Sequence, residues 1–365
     1  MTTLGTKEIK RVVVRGTNWV GDSVMTVPAL RALRRVLPDA KITLVLRPSA
    51  KGLFVDADFI DELLVYDRRN AFAVFPQIKE WRQRQFELAV LFQNAFEAAL
   101  IPFFAGVPIR IGYATESRQS LLTHPIERPE WRSSKHEVFY YLYLVTALEQ
   151  LLYGTSTICE SEPDASLNIS PSRITEAASF LGSYGIVEGK QVVAICPGSI
   201  NSRAKRWPVE SFVQLSDQLI EDGRQVLIIG SKGEEDVSHE VVRQMRQKPI
   251  DLTGKTTIDQ ITAILGLVDL VVTNDTGPAH IAAALGRPTL VMFGPTNPLT
   301  TRPFSGTAEI LRHPPDCAPC MLRDCPIDHR CMTAITVDEV VEQSRSMLKR
   351  TSFEKTVRSL CDSVA

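Results

Sequence analysis

The sequence contains no long hydrophobic run. Apolar stretches such as Val12–Val14 and Leu270–Val272 have the length of a buried strand, whereas a membrane-spanning helix needs about 20 apolar residues. The N-terminal segment MTTLGTKEIKR has no apolar core of signal-peptide length. These absences predict a soluble, cytoplasmic protein and leave peripheral contact with a membrane surface open.

The sequence also lacks an excess of charge of either sign. It carries 41 Lys+Arg and 42 Asp+Glu, a formal net charge of -1, and therefore gives no reason to expect nucleic acid as a partner. Residues 1–150 carry a net charge of +4 and residues 151–365 a net charge of -5. This asymmetry is either chance scatter or a sign that the first half meets an anionic partner. The length of 365 residues and the hydrophobic content of 44% predict a globular protein of two domains.

Cysteine is infrequent but clustered, because four of the seven cysteines are Cys317, Cys320, Cys325 and Cys331. Without an export signal, structural disulfides are not expected. Four thiolates could hold zinc, yet the last two intervals fit no established zinc motif. We expect reduced thiols in an irregular loop and no metal, with a metal site as the alternative.

Strand and helix patterns alternate twice along the chain, which predicts an α/β protein with parallel sheets. A segment rich in Ser, Thr and Pro, residues 154–172, separates the two halves. The tail from Val337 is predicted to be helical. Strands are predicted at 11–14, 41–46, 63–66, 88–92, 191–196, 225–230, 270–274 and 289–293, and helices at 22–35, 209–221, 234–247, 258–267 and 278–285.

The sharpest polar motif is Asn274-Asp-Thr-Gly-Pro-Ala-His280, which follows a predicted strand and opens a predicted helix. Ligands of open α/β sheets bind outside the carboxyl ends of the strands, and the first N–H groups of a helix are suited to a phosphate. Alternatively, Asp275 or Thr276 is an ordinary helix cap.

Three further polar clusters follow predicted strands. Lys205, in the loop with Ser199, Asn201 and Ser202, could lie against a diphosphate, or the loop could be a solvated basic segment. Glu234 could accept hydrogen bonds from ribose hydroxyls or stabilise a helix start. Asp22, at the start of the first helix, could act as a general base or as a helix cap.

Together these motifs resemble the ADP-heptose:lipopolysaccharide heptosyltransferases, glycosyltransferase family 9. Gly21-Asp-Ser-Val-Met-Thr-Val-Pro-Ala-Leu30 is similar to the opening element of the family, and Lys205-Arg-Trp-Pro208 to its K-x-W-P element. Asn274–His280 resembles the D-T-G-x-x-H element, and Phe293-Gly-Pro-Thr-Asn-Pro298 the G-P-T-x-P segment. The cysteine-rich stretch is most similar to that of the members that add the second heptose of the inner core.

The resemblance implies a GT-B fold, in which two Rossmann-like domains face a cleft and the C-terminal helix returns to the first domain. Residues 1–172, together with 347–365, would form the acceptor-binding domain. Residues 173–346 would form the ADP-sugar-binding domain.

The resemblance also implies roles for individual residues. Asp22 matches the catalytic base, and Lys205 matches the lysine that neutralises the sugar-nucleotide diphosphate. The implied donor-binding residues are Ser199, Asn201, Ser202, Glu234, Asp275, Thr276, Gly277 and His280. Ser199, Asn201 and Ser202 depart from the pattern, because some relatives carry threonines there. For the acidic, phosphorylated acceptor, the candidates are Arg68, Arg69, Arg110, Arg118 and Arg132, and the alternative for each is an ordinary surface arginine.

The implied activity is an inverting transfer of heptose from ADP-heptose to the lipopolysaccharide inner core, with no cofactor required. The protein is expected to be a monomer that touches the inner membrane peripherally. The alternatives are another member of the family with a different acceptor, such as the first heptosyltransferase, and a non-catalytic protein that binds a sugar nucleotide.

Overall fold

The structure, a computed structural model, describes residues 9–68 and 70–362, and their side chains apart from residues 71, 159 and 352–362. The chain divides into two compact units, Met1–Asn168 and Ile169–Ala365. This division falls just before the boundary predicted at residue 172. Among the described residues, no helix is both long and apolar enough to cross a bilayer.

The first unit contains a six-stranded sheet of order β3-β2-β1-β4-β5-β6, in which every neighbouring pair is parallel. The central strands β1, β2 and β4 are buried on both faces, which explains why their sequences are apolar runs without alternation. The order reverses between β1 and β4, and such a switch point marks the usual ligand crevice of an open α/β sheet. The strands are β1 (Arg11–Arg15), β2 (Lys41–Leu46), β3 (Glu62–Val65), β4 (Leu88–Leu91), β5 (Ile109–Tyr113) and β6 (His124–Ile126).

The helix predicted over 22–35 is two helices that meet at Thr26. Pro28 lies in the first turn of the second helix, where the N–H that proline lacks would have no intrahelical acceptor. In the interior of one continuous helix the same proline would remove a hydrogen bond and break the helix. The helices of this unit are α1 (Val20–Met25), α2 (Val27–Val36), α3 (Pro48–Lys51), α4 (Val74–Arg84), α5 (Phe96–Ala105) and α6 (Glu137–Tyr153).

The second unit repeats the architecture with the strand order β12-β11-β10-β7-β8-β9, again all parallel. Its switch point lies between β7 and β10, which are hydrogen-bonded neighbours. The strands are β7 (Val192–Cys196), β8 (Gln225–Ile228), β9 (Ile250–Asp251), β10 (Leu270–Asn274), β11 (Thr289–Met292) and β12 (Ala308–Leu311).

The helices of the second unit cover its sheet, and the C-terminal helix joins this core. Val340, Val341, Met347 and Leu348 of that helix pack with strand residues of the second unit. Whether the remainder returns to the first domain stays a prediction, because the side chains from residue 352 onward are outside the described residues. The helices are α7 (Pro171–Ser183), α8 (Val209–Glu221), α9 (Glu235–Gln244), α10 (Ile258–Leu265), α11 (Gly277–Ala284), α12 (Pro298–Thr301), α13 (Arg330–Thr333) and α14 (Val337–Asp362).

Candidate active site

Asn274 ties together the loops at the switch point of the second unit. Its side chain is fully buried, and its Nδ2 donates to the carbonyl oxygens of Pro197 at 2.9 Å and Gly198 at 3.2 Å. Its Oδ1 accepts from the backbone N–H of Trp207 at 2.9 Å. A buried amide with its hydrogen-bonding groups used in this way fixes the loops that it joins. The loop after β7 and the loop after β10 therefore form one rigid surface.

Lys205 and Asp275 form an ion pair on that surface. Lys205 Nζ lies 2.8 Å from Asp275 Oδ2 and 3.2 Å from the backbone oxygen of Asp275. The hydroxyl of Thr296, in the loop after β11, donates to the same Oδ2 at 2.7 Å. Asp275 is only 4% exposed, so its carboxylate is held by these two partners. An ammonium has three donors, so Lys205 retains donor capacity for a ligand.

The sequence implied that Asp275 contacts a phosphate, whereas in the structure its carboxylate contacts Lys205 and Thr296. A buried carboxylate repels phosphate, and here it holds the Lys205 ammonium in position. The neighbouring residues still suit an anion, because Thr276 precedes α11 and Gly277 begins it. The N–H groups of a first helical turn have no intrahelical acceptor and point outward.

Two further side chains of the motif, those of Thr276 and His280, are engaged within the second unit. The Thr276 hydroxyl lies 3.2 Å from the Thr273 hydroxyl and 3.3 Å from the oxygen of Asn274. His280, on α11, is 5% exposed. The motif therefore presents mainly its backbone and its helix end toward the carboxyl edge of the sheet.

The loop after β7 is supported by the cysteine-rich segment, a contact that the sequence did not predict. The Ser202 hydroxyl donates to the carbonyl oxygens of Leu322 and Arg323 at 3.3 and 3.2 Å, and the Ala204 N–H donates to Arg323 at 2.9 Å. His329 Nε2 lies 2.6 Å from the Ala204 oxygen. The Ser202 hydroxyl therefore donates within the protein, and its contact with the donor stays a prediction.

Two other predicted donor residues of this loop differ in exposure. Ser199 is buried at 3% exposure, and its carbonyl oxygen accepts from the Arg206 guanidinium at 3.1 Å. Asn201 is exposed. Ser199 and Asn201 therefore lie on the loop that carries Lys205.

Glu234 lies against the same loop. Its Oε2 accepts from the backbone N–H and the hydroxyl of Ser231 at 2.9 and 2.8 Å, a capping box at the start of the turn Lys232–Glu234. A Cβ atom at Gly198 would lie 2.3 Å from Glu234 Oε1. Only glycine therefore fits at 198 with Glu234 in this position.

Asp22 lies in the first unit, in the first turn of α1 directly after β1, and is half-buried. Burial raises the pKa of Glu137, whose carboxylate pairs with Arg132, and the negative charge of Asp22 adds to that rise. Burial likewise raises the pKa of Tyr141, with a contribution from Asp22. Asp22 therefore lies in a partly desolvated, charged environment where α1 packs on α6.

The arginines predicted to meet the acceptor do not form one group. Arg68 is exposed and pairs with Glu97, with Nε 2.7 Å from Oε2. Arg69 lies outside the described residues. Arg110 and Arg132 are half-buried, and the Arg132 guanidinium lies 4.2 Å from the ring centre of Tyr140.

Arg118 departs most clearly from the predicted acceptor contact, because its side chain is fully buried. Its guanidinium donates to the carbonyl oxygens of Tyr113 and Gln93 and to the side chain of Asn94, and burial lowers its pKa to about 10. These contacts give Arg118 a place in holding loops of the first unit rather than in binding an acceptor.

The described cysteines, Cys196, Cys317, Cys320, Cys325 and Cys331, are free thiols. Burial raises the pKa of Cys331, and the three neighbouring cysteines of its segment add to the effect, so the thiol form is favoured. Within residues 9–68 and 70–362, no group of three or more His, Cys, Asp or Glu is arranged to hold a metal ion.

Sequence comparison places these features in a family. Residues 74–330 match the family described as Glycosyltransferase family 9 (heptosyltransferase). Lipopolysaccharide heptosyltransferase 2 of Escherichia coli K12 is 26% identical over 319 residues, covering 83% of this chain and 88% of the relative. Lipooligosaccharide heptosyltransferase 2 of Haemophilus ducreyi is 28% identical over 318 residues, covering 83% and 88%.

Comparison with solved structures also matches a heptosyltransferase. The solved structure of ADP-heptose lipopolysaccharide heptosyltransferase II from E. coli superposes with a TM-score of 0.78 at 25% identity, covering 94% of this chain and 99% of that one. The match confirms the predicted GT-B fold class, built from two parallel six-stranded sheets with helices.

Proposed function

The chain belongs to glycosyltransferase family 9, and from this membership we propose that it transfers heptose from ADP-heptose to the inner core of lipopolysaccharide. The relatives named above are heptosyltransferases of this type. The acceptor in our proposal is a core that already carries its first heptose on Kdo and lipid A. The protein would act as a cytoplasmic monomer.

The observation that carries the proposal is the ion pair of Lys205 with Asp275. When the bond between the anomeric carbon and the diphosphate breaks, ADP departs as an anion. Lys205 would stabilise the charge that develops on its β-phosphate, and the N-terminus of α11 would add backbone N–H groups. Preorganised groups of this kind are usually the largest electrostatic contribution to catalysis.

The second requirement is a base for the acceptor hydroxyl, which is a poor nucleophile while protonated. Asp22 would accept the hydroxyl proton as the new bond to the anomeric carbon forms. A single base with a single displacement predicts inversion at the anomeric carbon, by analogy with inverting glycosidases. The proposal assigns the needed positive charge to Lys205 and the helix end and requires no cofactor.

The rest of the donor would be bound around the same loops. Glu234 would accept hydrogen bonds from the adenosine ribose, and Ser199 and Asn201 would line the phosphate path with Thr276 and Gly277. His280 would support the turn from inside α11. Arg68, which follows β3 at the carboxyl edge of the first sheet, would meet the acidic acceptor, and we assign Arg69 to the same contact.

The test is incubation of the purified protein with ADP-heptose and lipopolysaccharide cores truncated before or after the first heptose. We expect ADP release and a mass gain of one heptose only on the core that carries the first heptose. Transfer only to the heptose-free core would assign a first-heptose activity instead. ADP release without a heavier acceptor would contradict transfer.

A further inference from the structure

Two arginines of the first unit share one neutral hydrogen-bond acceptor. Arg15 Nη2 donates to Asn18 Oδ1 at 3.4 Å, and Arg47 Nε donates to the same oxygen at 3.2 Å. The other described hydrogen bonds of Arg15 go to the backbone oxygens of Gly16 and Val45, at 3.0 and 3.3 Å. Both guanidiniums are therefore held by neutral oxygens, and these contacts leave their positive charges uncompensated.

The two guanidiniums lie close enough to repel each other. Arg15 is only 1% exposed, and burial lowers its pKa to about 10, with a further contribution from the charge of Arg47. The charge of Glu97 opposes this effect, but the Glu97 carboxylate already binds Tyr66 and Arg68. Like charges held together in this way attract an anion, because an added negative group relieves their repulsion.

Arg47 is the more exposed member of the pair, because it is half-buried whereas Arg15 is fully buried. The bond from its Nε to Asn18 orients the guanidinium. Within the part of the chain that the structure describes, the two terminal nitrogens of Arg47 have no hydrogen-bond or ion-pair partner. Their N–H groups lie in one rigid plane, a geometry that matches two oxygens of a carboxylate or a phosphate.

Arg47 lies on the same edge of the first sheet as Asp22. β1 and β2 are parallel neighbours, with Arg15 paired to Val45, so Asn18 and Arg47 both follow the carboxyl ends of these strands. Asp22 lies in the first turn of α1, and α1 packs against α3, which begins directly after Arg47. Ligands of open parallel sheets bind at this edge. A sugar whose hydroxyl meets Asp22 therefore lies at the edge that carries Arg47.

We propose that Arg47 binds an anionic substituent, a carboxylate or a phosphate, of the acceptor sugar whose hydroxyl Asp22 deprotonates. The inference rests on the proposed function. Asn18 is the positioning residue, since it holds Arg47 through Nε and leaves the terminal nitrogens for the ligand. Arg15, which is fully buried, adds its charge without contacting the ligand. A neutral sugar would leave this positive site without a counter-charge, so the site selects acidic acceptors.

The kinetic test compares acceptors that differ only in their acidic groups. Arg47→Gln should raise the KM for the deacylated core acceptor about 10–100-fold, the change expected when a hydrogen bond to a charged group is lost. Its kcat and its affinity for ADP should stay close to those of the wild type. Removing the phosphates of the acceptor, or reducing its carboxylates to alcohols, should abolish the difference between variant and wild type. The treatment that does so identifies the bound group.

Two further variants control for charge and for positioning. Arg35→Gln removes an exposed positive charge in the last turn of α2, which lies at the opposite edge because α2 leads from the carboxyl end of β1 to the amino end of β2. It should keep wild-type kinetics. Asn18→Ala removes the oxygen that orients Arg47, so it should raise the acceptor KM and add nothing in the Arg47→Gln background. Thermal unfolding verifies that each variant is folded.

Three results would overturn the inference. An unchanged acceptor KM in Arg47→Gln excludes the contact, and an equal loss on acidic and neutralised acceptors shows that Arg47 binds no anion. A loss confined to kcat, with a shifted pH profile, assigns Arg47 to the ionisation of Asp22 instead.

Failure of the proposed function gives a different result, in which the wild type transfers heptose to no core. Calorimetric binding of the deacylated acidic core to the wild type and to Arg47→Gln then tests the inference alone. Tighter binding by the wild type supports the contact of Arg47 with an anion, and equal binding refutes it.

Discussion

Lys205 and Asp275 are seventy residues apart in sequence, yet Lys205 Nζ lies 2.8 Å from Asp275 Oδ2. The lysine is carried by the loop after β7 and the aspartate by the loop after β10, and these two strands are parallel neighbours. The pair therefore exists because of the strand order of the second sheet. It places one cation and one helix N-terminus side by side at the switch point.

Asp275 contacts both Lys205 and Thr296, which predicts a graded loss in the use of ADP-heptose when these contacts are removed. Asp275→Asn should lower kcat/KM for ADP-heptose by about 10–100-fold, since hydrogen bonds to charged groups contribute about 1.5–3 kcal/mol. Thr296→Val should cost less, and Thr296→Ser, which keeps the hydroxyl, should resemble the wild type. Steady-state kinetics and ADP affinity by calorimetry measure both effects. Wild-type donor kinetics in Asp275→Asn would show that Lys205 needs no anchoring.

Asp22 should be essential for the chemical step and unimportant for donor binding. Asp22→Asn should lower kcat by about 10²–10⁴-fold, because an amide cannot take the acceptor proton. The affinity for ADP should change little. Asp39→Asn, at an exposed position in the same unit, is the control and should be fully active. Survival of transfer in Asp22→Asn would rule out Asp22 as the base.

Gly198 predicts a coupling between loop backbone and nucleotide binding. A Cβ at this position would lie 2.3 Å from Glu234 Oε1, so Gly198→Ala should displace the Glu234 side chain and weaken ADP binding about tenfold. Thermal stability should change only slightly, because the displaced group is the end of a flexible side chain. In the Glu234→Ala background the same substitution should have no further effect. Additive losses in the double variant would refute the coupling.

Arg118 and Arg68 should respond oppositely to substitution. Arg118→Met should lower the free energy of unfolding by about 3 kcal/mol, because it leaves the buried oxygens of Tyr113, Gln93 and Asn94 without their donor. Arg68→Met should change stability by less than about 1 kcal/mol, as expected of an exposed ion pair, and should raise the KM for the acceptor. Chemical denaturation and acceptor kinetics measure the two effects. Unchanged stability in Arg118→Met would contradict its structural role.

Asp222 and Arg345 predict a pH-dependent contribution to stability. Asp222 accepts two hydrogen bonds from Arg345 of α14, at 2.6 and 2.9 Å, and the side-chain hydrogen bond from Arg345 is the main cause that lowers the pKa of Asp222. Because the folded pKa lies below the unfolded value, the stabilisation is present above the unfolded pKa, about 3.9. It is lost as the pH falls through the folded pKa.

The substitution Arg345→Met should therefore destabilise the protein by less than about 1 kcal/mol at pH 7, since the pair is partly exposed. The difference from the wild type should vanish in strong acid. Urea denaturation at both pH values provides the comparison, with Arg350→Met as a control that leaves Asp222 paired. An equal difference at both pH values would show that charge pairing is not involved.

Much of the fold could be predicted from local pattern. Buried parallel strands are short apolar runs, and those at 41–46 and 270–274 were predicted at their observed bounds. The strands β5, β6, β9 and β12 were not predicted, because their sequences are short or only half-buried. The single helix predicted over 22–35 was wrong because a second helix begins at Val27, with Pro28 in its first turn.

The site could be predicted where polar and charged residues directly follow a strand in the sequence. Glycines, hydroxyl residues, Lys205 and Asp275 all follow strands, so their common edge could be inferred. The support from the cysteine-rich segment to Ser202 and Ala204 could not, because backbone carbonyls that accept hydrogen bonds leave no compositional signal. The same is true of Thr296, whose hydroxyl acts only through Asp275.

The sequence by itself determined the family, the α/β class and the residues that could carry charge chemistry, since motif order and hydrophobic period are local properties. Only the tertiary structure decided which charges meet: Lys205 pairs with Asp275, and Arg118 is buried among backbone oxygens. The physical reason is that pairing depends on strand order and on burial, and both are set by the packing of segments far apart in the chain.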